Sequence, residues 1–302
     1  MKYLVTGGAG FIGTNLVVEL LKQGHEVVAY DNYSSGKMEN RIQSGATYIE
    51  GDIRDYEKLK NAMIGIGGVF HTAAIPRMPY SVEHPLETND NNVNGTVTVL
   101  LAARDAKVKR VVYSASSSAY GDQKTMPFVE TMKTAPMSPY GLQKYIGEEY
   151  SRLFFELYGL ETVSLRYFNV YGPFVDPNGA YALVIGKFLQ QKKNGEPMTV
   201  CGDGEYYRDY THVSDVVRAN IAAMQSTKAG HGEVINIGNK HPYSVNQLVQ
   251  MIGGEHVNVP ARAGDPRRTE ADITRAKELL DWEPIVTLEE GVNRLKQEWG
   301  LE

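Results

Sequence analysis

Along the first 165 residues, short apolar runs alternate with longer stretches whose apolar positions recur at helical spacing. Lys2–Thr6 and Glu26–Tyr30 read as buried parallel strands, with a helix from Phe11 to Gln23 between them. Further strands are predicted at Ala46–Gly51, Gly68–His71, Lys109–Ser114 and Glu161–Tyr167. Helices are predicted at Asp55–Met63, Pro85–Ala106 and Ser138–Tyr158. Regular strand–helix alternation builds a parallel sheet covered on both faces, a doubly wound α/β fold. After Tyr167 loops rich in Gly, Pro and Tyr take over, with shorter helices among them. We therefore expect a Rossmann-type domain over residues 1–167. Residues 168–302 form a smaller C-terminal α/β lobe, mainly for ligand binding, and some of its segments can return to the first domain. A cleft between the two is the expected ligand site.

Composition narrows the function classes. The chain has 302 residues, 42% hydrophobic and 22% charged, with a formal charge of −5. No basic field is present to hold nucleic acid. A single cysteine, Cys201, excludes an internal disulfide and a multi-cysteine metal site, and no H-x-x-x-H pair occurs, so no metal is expected. The uncharged stretch between Lys2 and Glu19 is interrupted by Gly7, Gly8, Gly10 and Gly13 and is shorter than a membrane span of ~20 residues. We expect it to be folded and retained, in a cytoplasmic protein with no membrane partner.

Three motifs carry chemistry. Strand Lys2–Thr6 runs into T-G-G-A-G-F-I-G, where Gly7, Gly10 and Gly13 permit a tight turn and close backbone approach to a pyrophosphate. Phe11 and Ile12 open the following helix, whose N-terminal N–H groups favour an anion. Asp31, ending the second strand, is placed for the adenosine ribose hydroxyls, and Asp31-Asn32-Tyr33 offers no Arg for a 2′-phosphate, which favours NAD over NADP. Second, Tyr140 and Lys144 stand one helical turn apart. A nearby ammonium lowers a phenol pKa, so Tyr140 is a candidate acid–base near neutrality, although the same spacing also fits a surface aromatic–cation pair. Third, Ser114 to Gly121 place a serine-rich loop at the carboxyl end of a strand, where ligands lie in open α/β sheets.

Together these stretches resemble the extended short-chain dehydrogenase/reductases that act on nucleotide sugars. The likeness spans essentially the whole chain. It continues through Gly51-Asp52-Ile53, His71-Thr72-Ala73-Ala74, N-N-V-N-G-T (91–96), R-Y-F-N-V-Y-G (166–172), G-D-G…R-D-Y-T-H-V-S-D (202–215) and Gly264-Asp265. The resemblance implies Tyr140 as catalytic base, Lys144 as ribose-binding and pKa-lowering lysine, and Ser116 beside the reacting sugar oxygen. It implies cofactor contacts from Asp31, Asn32, Asp52, Ile53, Ala73, Asn92, Ser114 and Tyr167. It implies substrate contacts from Ser116, Ser117, Ser118, Asn169, Arg208 and Arg262, with Asp265 near the uridine ribose.

In this group dehydratases carry Asp-Glu after the position of Ser116, and decarboxylases keep a Glu at that of Ser118; here both places are serines, Ser117 and Ser118. The resemblance then points to 4-epimerisation of a UDP-sugar through a 4-keto intermediate. The serine loop with Asp176 to Tyr181 looks most like the UDP-N-acetylglucosamine 4-epimerases. Pro76-Arg77-Met78-Pro79 departs from the pattern, and Arg77 can answer a uronate carboxylate. Thr269 falls at the family's substrate gate, where a small residue leaves room for an acetamido group; alternatively it caps a helix beginning near Asp272. A homodimer is implied, built on helices Pro85–Ala106 and Ser138–Tyr158, the latter with an apolar stripe of Ile146, Tyr150, Leu153, Phe154 and Leu157.

Overall fold

The computed structural model describes residues 1–76, 78–176, 183–261 and 266–301. Strands β1 (Lys2–Thr6), β2 (Glu26–Asp31), β3 (Thr47–Glu50), β4 (Gly68–His71), β5 (Arg110–Ser116) and β6 (Glu161–Tyr167) pair in parallel in the order β3-β2-β1-β4-β5-β6. The order reverses at β1, so the carboxyl ends of β1 and β4 open a crevice, the usual ligand position in such sheets.

Both faces of the inner strands are covered, which is why β1, β2 and β4 read as nearly continuous apolar runs, whereas β3 at the edge is not buried. Alternate residues of β1 serve opposite cores. Tyr3 and Val5 pack with Leu16 and Val17 of α1 (Phe11–Lys22) on one face. Leu4 packs on the other with Leu59 of α2 (Tyr56–Ala62) and Val99 and Leu100 of α5 (Gly95–Asp105). Each such fully buried Val or Leu contributes about 1.5–3 kcal/mol.

The helix expected over Pro85–Ala106 forms, with α3 (Met78–Glu83) before it, but as α4 (Pro85–Asn89), one wide π turn (Asp90–Asn94) and α5. Within that turn Asn92 accepts the N–H of Ile75 at 2.8 Å and donates to the Ile75 carbonyl at 3.2 Å and to Gln143 at 2.9 Å. These bonds fix the bulge against its neighbours. The next helix, α6 (Pro139–Tyr158), starts where Ser138 accepts the Gly141 N–H and Pro139 occupies the first turn, and it ends at Gly159, whose φ is +69°.

The second part of the chain does not stay apart. It contributes β7 (Val170–Tyr171), α7 (Val184–Lys193), β8 (Met198–Cys201), β9 (Tyr207–Asp209), β10 (Thr211–His212) and α8 (Val213–Gln225). Then β11 (His231–Ile237) returns to the large sheet as its seventh strand, parallel to β6. α8 joins the core beneath α1 through Val216, Val217 and Ala219. The lobe closes with β12 (Pro242–Ser244), α9 (Val245–Ile252), β13 (His256–Val259), α10 (Thr274–Leu280) and α11 (Leu288–Glu298), and its own core gathers Ile185, Phe188, Leu248 and Val292. On α6, Phe154 is buried, whereas Tyr150 and Leu157 of the predicted stripe are exposed. No helix among the described residues is long and apolar enough to cross a membrane.

Candidate active site

A cavity of about 530 Å³ runs from the glycine turn to the serine loop and on to the second lobe. Gly7, Gly10, Phe11, Ile12 and Gly13 line one end. Gly7 has φ +68°, and a Cβ there would lie 2.8 Å from the Ala73 backbone; a Cβ on Gly13 would drive into the Gly7 carbonyl oxygen. Only glycine leaves this cradle open. Asp31 accepts the N–H groups of Ala9 at 2.9 Å and Tyr33 at 2.8 Å, which holds the turn in register.

Asn32, Ile53, Ala73, Ser114 and Tyr167 line the same cavity, whereas Asp52 and Asn92 do not. The Asp52 carboxylate is bound to Arg54 at 2.7 Å and to Asn32 at 3.1 Å, and these bonds hold its pKa down at about 2. Asn92 is engaged by Ile75 and Gln143 as described. Its neighbour Asn91 lines the cavity instead, with a buried Oδ1 that has no hydrogen-bond partner among the described residues. An orphaned polar atom of this kind beside an open glycine cradle fits a bound dinucleotide. The sequence pattern points to Asn92 and not to Asn91; of the two, the π turn presents Asn91 to the cavity and Asn92 to Ile75 and Gln143. Ser34, Ser35 and Arg41, which were also not foreseen, line the cavity as well.

At the far end Ser116, Ser117, Ser118, Tyr140 and Lys144 converge on the cavity. Ser116 is the last residue of β5 and accepts the Ser118 N–H at 3.2 Å and the Ser118 hydroxyl at 2.8 Å. It also hydrogen-bonds the Tyr140 phenol. The backbone N–H of Tyr140 donates to the buried Ser81 hydroxyl at 3.0 Å, tying α6 to α3. Lys144 is 4% exposed, and its Nζ donates to the Ser114 carbonyl at 2.7 Å. Ser114 in turn shares a 3.1 Å hydrogen bond with the Tyr167 hydroxyl.

Burial dominates the electrostatics of the Tyr140 and Lys144 pair. Burial pushes the Tyr140 phenol up to about 12, opposed by its Ser116 hydrogen bond. Burial pulls Lys144 down to about 7, opposed by Glu148 one turn further along α6. In the protein alone, then, desolvation outweighs any lowering of the phenol by Lys144, whose ammonium is committed to a backbone carbonyl.

The second lobe supplies the remaining wall. Asn169 (φ +32°), Arg208 and Thr269 line the cavity. Asn169 Nδ2 donates to the Asp209 carbonyl at 3.1 Å and lies 3.4 Å from the Thr269 hydroxyl. The buried Asp209 carboxylate accepts N–H groups from Asn239 at 2.6 Å, Ala271 at 3.0 Å and Lys240 at 3.1 Å, which anchors the segment carrying Thr269. The helix beyond begins at Thr274, whose N–H is taken by Asp272, so Thr269 caps nothing there. Arg77, Arg262, Asp265 and the stretch 177–181 lie outside the described residues. Among the described residues no group of three His, Cys, Asp or Glu is placed to hold a metal ion.

A model of the NAD dependent epimerase/dehydratase family matches residues 3–238. Among solved structures, the UDP-glucose 4-epimerase of Thermotoga maritima with UDP-glucose superposes with a TM-score of 0.94 at 41% identity, over 99% of this chain and 98% of that one. A UDP-N-acetylglucosamine 4-epimerase from Methanobrevibacter ruminantium, in complex with UDP-N-acetylmuramic acid, gives a TM-score of 0.91 at 35% identity, over 98% of each chain. A putative UDP-glucose 4-epimerase of Methanocaldococcus jannaschii is 38% identical, covering 97% of this chain and 96% of its own.

Proposed function

The chain belongs to the NAD-dependent epimerase/dehydratase family, and within it we propose that it interconverts the C4 epimers of UDP-sugars. The pairs proposed are UDP-N-acetylglucosamine/UDP-N-acetylgalactosamine and UDP-glucose/UDP-galactose. The observation that carries this reading is the make-up of the reacting end of the cavity. Tyr140, Lys144 and Ser116 meet there with two further serines, and the carboxylates lining the cavity among the described residues are Asp31 and Asp176. Asp31 is held at the glycine turn and Asp176 lies in the field of Arg41, so neither is available beside Tyr140 to drive elimination.

NAD, when bound, would supply a reversible acceptor for the C4 hydride and a positive charge in the site. Gly7, Gly10, Gly13, Asp31, Asn91 and Lys144 are the residues that would hold it. Tyr140 takes the C4 hydroxyl proton as the C4–H bond breaks and returns it as that bond re-forms, so no net oxidation accumulates. Ser116 hydrogen-bonds the same oxygen and keeps the phenol aligned. A fixed positive charge favours the phenolate, which offsets the upward push of burial on Tyr140. Asn169 and Arg208 grip the diphosphate, so that the keto-sugar turns over without leaving. Thr269, being small, leaves space beside C2 for an acetamido group. The exposed Tyr150 and Leu157 on α6 support a homodimer, testable by light scattering.

The direct test is incubation with UDP-glucose, UDP-galactose, UDP-N-acetylglucosamine and UDP-glucuronate separately, without added NAD, followed by chromatographic separation of epimers. Epimers of the acetamido and plain sugars support the reading. Turnover of UDP-glucuronate alone refutes it in favour of a uronate epimerase, and stoichiometric NADH release refutes internal return of the hydride.

A further inference from the structure

Arg41 is a charged side chain only 3% exposed, yet it lines the cofactor end of the cavity. It sits in a short helical turn (Glu39–Arg41) beyond β2. Its guanidinium reaches two separate segments: Nη1 lies 3.5 Å from the Ala9 carbonyl in the glycine turn, and Nη2 donates to the Phe174 carbonyl at 2.6 Å. Its buried Nε has no hydrogen-bond partner among the described residues. Asp31 and Asp176 stand close enough to favour its charge. The segment it holds, Pro173–Asp176, leaves β7 and crosses to the nucleotide-binding half, and Val175 and Asp176 line the cavity. A second tie fastens the same strap: Asn15 on α1 donates to the Pro173 carbonyl at 3.1 Å.

Burying a guanidinium with one donor unsatisfied is unfavourable unless something completes it. The orphaned Nε faces no acceptor among the described residues, but it belongs to a side chain on the wall of a site built for a pyrophosphate and two riboses. We propose that Arg41 is a cofactor-retention residue, pinning the 173–176 strap against the glycine turn and donating its free Nε to an oxygen of the bound dinucleotide. The strap then has to part from Arg41 before the dinucleotide can leave. Retention of this kind suits a reaction in which the cofactor is regenerated at every turnover.

The test measures how fast NAD leaves. Protein loaded with radiolabelled NAD is chased with excess unlabelled NAD, for the unmodified chain, Arg41→Met, Arg41→Lys and Asn15→Ala. Methionine keeps the apolar stem and removes every donor, so its release should accelerate by about tenfold or more, the weight of a charge-assisted hydrogen bond. Lysine keeps the charge but loses the fork and should fall between. Asn15→Ala leaves Arg41 in place and removes the second tie, along with the 2.9 Å bond from the same amide to the Phe11 carbonyl within α1, and should speed release a few-fold. It carries the test if Arg41→Met does not fold. UDP affinity, read by calorimetry, should stay within twofold throughout, which a general loss of structure would not allow. Release from both Arg41→Met and Asn15→Ala at the unmodified rate, or a parallel loss of UDP affinity, overturns the proposal.

Discussion

Replacing Lys144 by methionine should make the NAD-free protein more stable while it destroys activity. The side chain is 4% exposed, and burial lowers its pKa from 10.5 to about 7. At about 1.4 kcal/mol per pKa unit, that shift corresponds to a destabilisation of roughly 4–5 kcal/mol wherever the folded protein must carry the ammonium. Methionine also forfeits the 2.7 Å bond to the Ser114 carbonyl, worth about 1 kcal/mol. The net expectation is a gain of roughly 3 kcal/mol below pH 7. The sign follows from proton counts. A lysine with a lowered folded pKa binds fewer protons folded than unfolded between pH 7 and 10.5, so the unmodified protein becomes steadily more stable across that window. The advantage of Lys144→Met should therefore shrink from pH 7 upward and vanish by about pH 10.5. Urea unfolding of NAD-free protein, followed by tryptophan fluorescence at pH 6, 8 and 10, reads it directly. Equal destabilisation by the substitution at all three pH values would refute the reasoning, because the lysine would then be acting as an ordinary packed side chain.

Three further outcomes are expected. Tyr140→Phe should slow epimerisation by roughly 10²–10⁴-fold, with UDP affinity by calorimetry unchanged; near-normal turnover would reject the acid–base role. Thr269→Tyr should lower turnover of UDP-N-acetylglucosamine by one to two powers of ten, since overpacking costs ~1–3 kcal/mol, while UDP-glucose turnover survives; equal losses for both would remove the gate. Glu148 and Arg166, 1% and 3% exposed, form a forked ion pair beneath α6, so Glu148→Gln should cost about 3–5 kcal/mol in urea unfolding. The double change Glu148→Leu with Arg166→Met should recover most of that loss, and strictly additive effects would contradict the pairing.

Much of this molecule is written in local pattern. Strands β1, β2 and β4 announce themselves because both faces are buried and apolar residues run nearly unbroken, as in Val27 to Tyr30. The glycine turn is legible because each glycine answers a named steric need. Tyr140, Lys144 and Ser116 are legible as residue types at a spacing, and their meeting place follows from the carboxyl ends of β1, β4 and β5. What pattern cannot convey is context from distant chain. Arg41 reads as a surface arginine until Phe174, 133 positions away, closes over it. Asn91 and Asn92 are indistinguishable until the π turn sends one into the cavity and the other to Ile75. The lowered pKa of Lys144 depends on burial that no spacing rule contains.

The late return of β11 to the sheet bears on how the chain is made. Seventy residues separate the end of β6 from the end of β11. On a ribosome adding about 5–20 residues per second, the open flank of β6 waits several seconds for its neighbour. An unpaired strand edge is a template for pairing with another chain, so nascent molecules should be most prone to aggregate in that interval. A nonsense codon just before His231 should be more harmful than its distance from the reacting groups suggests, since Tyr140, Lys144 and every glycine of the nucleotide turn would be present on a sheet that is never finished.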